Sequence, residues 1–252
     1  MTTTPTLAYR NTPLHAAVAA AVARVLEAYD LEPDYLTGDG PSLAQMMGQG
    51  EIDIFATVWL PGEDEKFLSA AVEPLGCLYR PAFAFFVAER ADSPLNGLTS
   101  VADVAASGAA RHLITPESLL SHVRQMVAAY GLTEAGFTIE TQPDEQAFSA
   151  IAAAVKSGEP VIAPLFSPCH LIHSLPLRPL DDPKKAGGNE LEARLLISQA
   201  FRETADQDLV DELDELTLGN KVVSALDEAV RHLDMSPDEA AEEWQRGKLL
   251  PR

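Results

Sequence analysis

Short apolar runs alternate with stretches of helical periodicity over the first 60 residues, and this restricts the fold more than any other feature. Leu7–Tyr9 reads as a strand. Thr12 then caps a helix whose first turn takes Pro13, with apolar residues recurring at Leu14, Val18, Val22, Val25 and Leu26. Tyr35 lies near the end of a second strand, and Gly38 to Ser42 turns into a short helix containing Met46 and Met47. Ile52–Leu60 is a largely apolar run with the β-branched and aromatic residues of a buried strand. A β-α-β-α-β order predicts a parallel sheet with helices on both faces.

A long strand is predicted over Leu78–Ala88, followed by a second α/β unit. Its expected elements are a short helix near Ser100–Ala106, a strand at Arg111–Ile114, a helix over Pro116–Tyr130, a strand at Phe137–Thr141, an amphipathic helix over Asp144–Lys156 and a strand at Pro160–Phe166. A connector containing Pro and Gly runs from Ser167 to Glu190. Leu191–Phe201 reads as a strand, and the remainder is helical. Ser236, Pro237 and Glu239 spell a capping box at the start of the last helix. A chain that leaves one α/β unit, builds another and returns makes two lobes, here 1–82 with 184–252, and 83–183. Each is expected to be a mostly parallel sheet flanked by helices. Clefts between lobes favour small ligands.

Charge narrows the partners. With 18 Lys and Arg against 38 Asp and Glu, the net charge is −20, which opposes nucleic acid and anionic lipid. It reads as a solubility surface or an adaptation to salt. The longest apolar segment, Leu14–Leu26, contains His15 and Arg24, so no membrane span is expected. Two cysteines, Cys77 and Cys169, make neither a disulfide framework nor a four-ligand zinc site. They are expected as buried thiols, or as one bridge if the fold unites them. The start, Met1-Thr-Thr-Thr, lacks the features of a leader, which places the chain in the cytoplasm unless a leader precedes it.

Signs of catalysis are missing. There is no Gly-x-Gly-x-x-Gly, Walker sequence, Gly-x-Ser-x-Gly or His-Glu-x-x-His. His170 and His173 are three apart, but Pro168 and Pro176 argue against a helix that would turn both to a metal. Glu63, Asp64 and Glu65 read as a solvated helix start. No catalytic residue, metal or cofactor is expected.

Longer motifs point further. Gly50-Glu-Ile-Asp-Ile-Phe-Ala-Thr-Val-Trp-Leu-Pro61 resembles the G-D-I-D-V-x-x-x-x-W-L-P segment of glycine betaine and proline betaine binding proteins, the substrate-binding components of ABC importers. Ile114-Thr-Pro-Glu followed by a helix ending Tyr130-Gly-Leu resembles the strand–loop–helix of that family's second lobe. Glu159-Pro-Val-Ile-Ala-Pro-Leu-Phe-Ser-Pro168 is similar to its P-V-V-V-x-L-W-x-P strand. Leu180-Asp-Asp-Pro-Lys184 is similar to its connector, and Met235-Ser-Pro-Asp-Glu-Ala-Ala-Glu-Glu-Trp244 to its terminal helix. In order, these segments span nearly the whole chain. The resemblance implies a periplasmic-binding-protein fold of the second topological type, and capture of a zwitterionic, quaternary-amine or amino-acid-like solute for an ABC permease by a monomer. A cytoplasmic sensor or scavenger on the same fold is the alternative, and an enzyme on this scaffold a more remote one.

Family members hold a quaternary ammonium among aromatic rings, whose quadrupoles replace the hydrogen bonds a methylated cation cannot donate. Trp59 matches one such Trp, unless it is a core residue beside Pro61. Phe166 stands where the family has another, and His170 where many members carry an aromatic residue; the alternative for His170 is an exposed connector histidine. Thr115-Pro-Glu-Ser-Leu119 replaces the family's D-P-G-A-G, where Pro116 fits a helix start and the amides at Ser118 suit an anion. Arg194 falls where some members carry a carboxylate-binding histidine, and its guanidinium could grip a carboxylate. Its alternative is a structural ion pair with Glu190, Glu192 or a connector acid. Asn11, in the loop of Tyr9–Thr12, is the preferred polar contact. Trp59 and Arg194 are expected to line one hollow.

Overall fold

A computed structural model describes residues 4–107 and 111–249. Residues 1–3, where the absence of a leader is read, lie outside them. The chain divides into two compact units, Met1–Pro81 with Leu191–Arg252, and Ala82–Glu190. Residues 184–190 pack with the second unit: Gly187 N–H donates to Asp182 (2.7 Å), and Ala186 is buried in its core.

In chain order the first unit opens with β1 (Thr6–Arg10), α1 (Pro13–Ala28), β2 (Asp34–Gly38), α2 (Gly40–Gln49), β3 (Ile54–Leu60), a 3-10 turn over Glu63–Phe67, and β4 (Val72–Tyr79). The second unit holds β5 (Ala82–Ala88), α3 (Val104–Ser107), β6 (His112–Pro116), α4 (Leu120–Ala129), β7 (Thr138–Gln142), α5 (Asp144–Ser157), β8 (Ile162–Ser167), α6 (His170–Ser174) and β9 (Leu177–Pro179). The chain returns through β10 (Glu192–Ser198) and ends in α7 (Gln199–Thr204), α8 (Gln207–Glu215), α9 (Asn220–His232) and α10 (Pro237–Gln245). Among the described residues, no helix is long and apolar enough to cross a membrane.

The first sheet has the order β2-β1-β3-β10-β4. The predicted β-α-β-α-β run supplies its parallel half, whereas β10 runs antiparallel to both β3 and β4. α1 is buried nearly all round, through Leu14, Val18, Val22 and Leu26 and a run of alanines. An apolar surface on every side suits a helix enclosed by others, and α1 shares one core with residues of α8, α9 and α10. α10 begins with the predicted capping box of Ser236 and Glu239. On the opposite face Leu43, Met47, Phe55, Val58, Phe67 and Leu196 form a second core.

The single strand expected over Leu78–Ala88 is two strands, β4 and β5, in different units. Pro81 has no N–H for a ladder, and the Arg80 backbone is taken by a side chain instead. Its N–H donates to Asn220 Oδ1 (2.9 Å), and its carbonyl accepts from Asn220 Nδ2 (2.7 Å).

Two bulges shape the first sheet. Arg194 pairs with Val58 and Leu196 with Phe55, so Ala56 and Thr57 together oppose Leu195. One extra residue reverses the alternation along β3. Ile54 and Ala56 face the α1 core, Val58 and Leu60 the opposite face, and Trp59 the α1 core again. In β4, Ala193 pairs with Tyr79 and Leu195 with Leu75, and the intervening bulge contains Gly76 at φ +53°.

In the second unit β8-β5-β9 is wholly antiparallel, while β6 and β7 pair in parallel. A mostly parallel sheet is therefore found only in parts of each unit. The prolines around α6 flank the helix rather than interrupt it: Pro168 precedes the cap Cys169, and Pro176 follows Leu175. The spacing argument against a helix there fails for that reason.

Candidate functional site

In the first unit, polar and aromatic side chains gather where β1 and β3 end. Trp59 is half-buried, and its indole N–H donates to the Tyr79 hydroxyl at 3.1 Å. Trp59, Ala193 and Tyr79 lie side by side across three strands, which the β3 bulge makes possible. The His15 ring stacks on the indole, with centroids 6.1 Å apart and planes at 29°. Burial pushes the Tyr79 hydroxyl up to about 12, so it stays protonated.

His15 is enclosed between Trp59, Arg10 and Thr12. Its Nδ1 lies 2.7 Å from Thr12 Oγ1, and its Nε2 lies 3.5 Å from an Arg10 guanidinium nitrogen. A guanidinium only donates, so Nε2 accepts and Nδ1 carries the proton that goes to Thr12. Burial first, and the Arg10 charge second, lower the His15 pKa to about 3, against a raising contribution from Asp227. The ring is neutral at any ordinary pH. Thr12 Oγ1 also accepts from the His15 backbone N–H (3.3 Å), so the exposed Thr12 hydroxyl keeps its own proton to donate outward.

Asp64 corrects the reading of the acids after Gly62 as a solvated helix start. It is buried, with one oxygen accepting the Trp59 backbone N–H at 2.8 Å and the other 2.5 Å from Arg10. The Arg10 guanidinium also lies over Phe67 and Phe55, 5.6 and 5.9 Å from the ring centroids. Asn11 is exposed in the same loop.

Arg194 does not join this group. It pairs with Val58, so it projects from the face of the sheet opposite to Trp59. Its Nε and a terminal nitrogen both donate to Glu192 Oε2 (3.0 and 2.6 Å), and Arg80 lies 3.0 Å from Glu192 Oε1. Hydrogen bonding from Arg194 holds the Glu192 carboxyl below its ordinary range. The structural ion pair named as the alternative is the one found.

In the second unit Phe166 is half-buried at the end of β8 and meets Phe83 of β5 and His122 of α4. The three centroids are 5.1 to 5.6 Å apart, so the rings touch one another. Tilted and edge-on rings at such distances fill the space between them. His170 is buried at the start of α6 and packs edge-on to Phe148 at 5.3 Å, which rules out the exposed connector histidine.

Ser118 changes role too. Pro116 ends β6, Glu117–Leu119 is a 3-10 turn, and the Ser118 amide donates to Asp144 at 3.0 Å. That amide is committed to an acid of the protein. Neither Cys77, which is half-buried, nor Cys169, which is buried, is in a disulfide.

Sequence reasoning missed Asp64, His15, Tyr79, Phe83 and His122. A histidine inside the alanine-rich stretch of α1 was the available signal for His15. Tyr79 and Phe83 are brought in by sheet pairing, Asp64 by the 3-10 turn after β3 and His122 by α4.

A family model described as the substrate-binding domain of ABC-type glycine betaine transport systems matches residues 4–246. Among solved structures, a lactococcal OpuAC in complex with glycine betaine matches with TM-score 0.72 at 16% identity, covering 97% of each chain. The glycine betaine/L-proline-binding protein ProX from Borrelia burgdorferi matches with TM-score 0.69 at 17% identity, over 97% of this chain and 94% of its own. An ABC-transporter choline-binding protein in complex with choline matches with TM-score 0.66 at 16% identity, over 96% and 88%. No curated protein matches the sequence.

Proposed function

The chain belongs to the family of substrate-binding domains of ABC-type glycine betaine transport systems, and we propose that it captures a small zwitterionic or quaternary-amine solute for an ABC permease. Trp59 carries this reading. It is a half-exposed indole whose N–H is already satisfied by Tyr79 and one of whose neighbours is a stacked, neutral imidazole. An indole fixed in this way offers its π system to a methylated cation at little further cost in order, worth about 0.5–2 kcal/mol for the ring. For the anionic end, the exposed Asn11 amide and the outward hydroxyl of Thr12 are the proposed donors.

In the second unit, Phe166 and His170 are kept as proposed ring contacts for a ligand, each beside the rings it packs against there. Arg194 is left out, because Glu192 already holds its guanidinium, and Ser118 because Asp144 holds its amide. The family is one of binding proteins, and the proposal extends to this chain returning its ligand unchanged.

Calorimetric titration with glycine betaine, proline betaine, choline and free amino acids tests the reading. Binding of at least one methylated amine, lost in Trp59→Ala and leaving the ligand unaltered, is expected. A folded protein that binds none of them refutes it.

A further inference from the structure

One acid of the 3-10 turn is set apart from its neighbours. Asp64 is only 7% exposed, whereas Glu65 beside it is exposed. Its two oxygens have different partners: Oδ2 takes the Trp59 backbone N–H (2.8 Å) and Oδ1 takes the Arg10 guanidinium (2.5 Å). Only a carboxylate meets both demands. An amide accepts through one atom, and whichever donor it serves, its NH2 group confronts the other.

Arg10 acts on the surroundings of the indole. Its guanidinium is 3.5 Å from His15, which stacks on Trp59. Its charge lowers the proton affinity of His15 and of the Tyr79 hydroxyl, the group that accepts the indole N–H. Uncompensated, that charge would oppose a cation approaching the ring.

We propose that Asp64 is a positioning and charge-selecting residue: it fixes the end of β3 through the Trp59 backbone and cancels Arg10, so that the cationic head of a ligand can reach the indole. This deepens the reading of Trp59 as a ligand contact and rests on it. The residue touches no ligand itself. It works through Trp59, which it orients, and through Arg10, which it neutralises.

The test uses the full chain, with choline as a cation and glycine betaine as a zwitterion of similar head group. Affinities are measured by calorimetry for the wild type and Asp64→Asn, and the Trp59 indole N–H resonance is followed without ligand. Asp64→Asn is expected to weaken choline by about tenfold or more and glycine betaine by clearly less, since a released like charge penalises the cation most. It is also expected to shift the indole resonance. Equal weakening of the two ligands overturns the proposal. Should Asp64→Asn fail to fold, Arg10→Met serves instead, and must strengthen choline relative to glycine betaine; no such change overturns the proposal as well. If the wild type binds neither compound, the ligand reading of Trp59 is what fails. The indole resonance then decides the positioning role by itself, and an unmoved signal ends it.

Discussion

A protonatable ring buried beside a guanidinium makes stability depend on pH in a calculable way. His15 has a pKa near 3 in the folded chain and about 6.5 when unfolded. Between those values the unfolded chain holds a proton that the folded chain refuses, so stability falls as pH falls. The contribution is intact above about 6.5 and is progressively lost down to about 3. Each unit of pH inside that window costs about 1.4 kcal/mol, so moving from pH 7 to pH 5 costs about 2 kcal/mol from this residue alone. Protonation would place a proton on Nε2, facing Arg10, and break the only acceptor role that nitrogen has. Urea unfolding at both pH values, for wild type and His15→Gln, measures the effect. The 38 Asp and Glu residues also titrate, but they are common to both proteins and cancel in the difference. Both tryptophans, Trp59 and Trp244, lie in the first unit, so their fluorescence follows the unit that contains His15. The wild type should lose about 2 kcal/mol more than the variant on acidification. Equal losses, or a His15 imidazole signal that titrates near 6.5, refute the argument.

Four further outcomes follow from the geometry. Arg194→Met should raise the pKa of Glu192 toward its ordinary value, because the first cause of its depression is the Arg194 hydrogen bond; carboxyl NMR titration reads the shift. Gly76→Ala should destabilise by about 2–3 kcal/mol, since a left-handed backbone and an overpacked contact add together, the new Cβ standing 2.5 Å from the Asp214 carbonyl oxygen. Gly50→Ala, at φ +75° but in open space, should cost only about 1 kcal/mol, and thermal melts compare the two. Ser236→Ala should cost about 1 kcal/mol by removing the cap of α10, again visible in Trp fluorescence through Trp244.

What the sequence showed clearly depends on residues close together along the chain. Thr12 and Ser236 cap helices within three positions of their partners, and the apolar run of β3 announces a buried strand by itself. The Arg194–Glu192 pair was also within reach, because residues two apart on a strand share a face. β4 escaped because Glu73, Pro74 and Gly76 disrupt its alternation, although neighbouring strands still pair with it. The site was harder to read. Placing Trp59 and Arg194 in one hollow rested on where each falls in the family's motifs, and those motifs do not reveal the irregularity in the pairing of β3 with β10. Ala56 and Thr57 share the space opposite Leu195, which turns the indole toward His15 and Tyr79 and leaves the guanidinium on the other side. Were all seven residues of β3 to alternate without that bulge, Trp59 would share the face of Phe55 and Phe67 instead of the α1 face, where His15 and Tyr79 now hold it. The position of the proposed ligand ring therefore rests on a single extra residue whose presence is a property of strand pairing, and no count along one strand can reveal it.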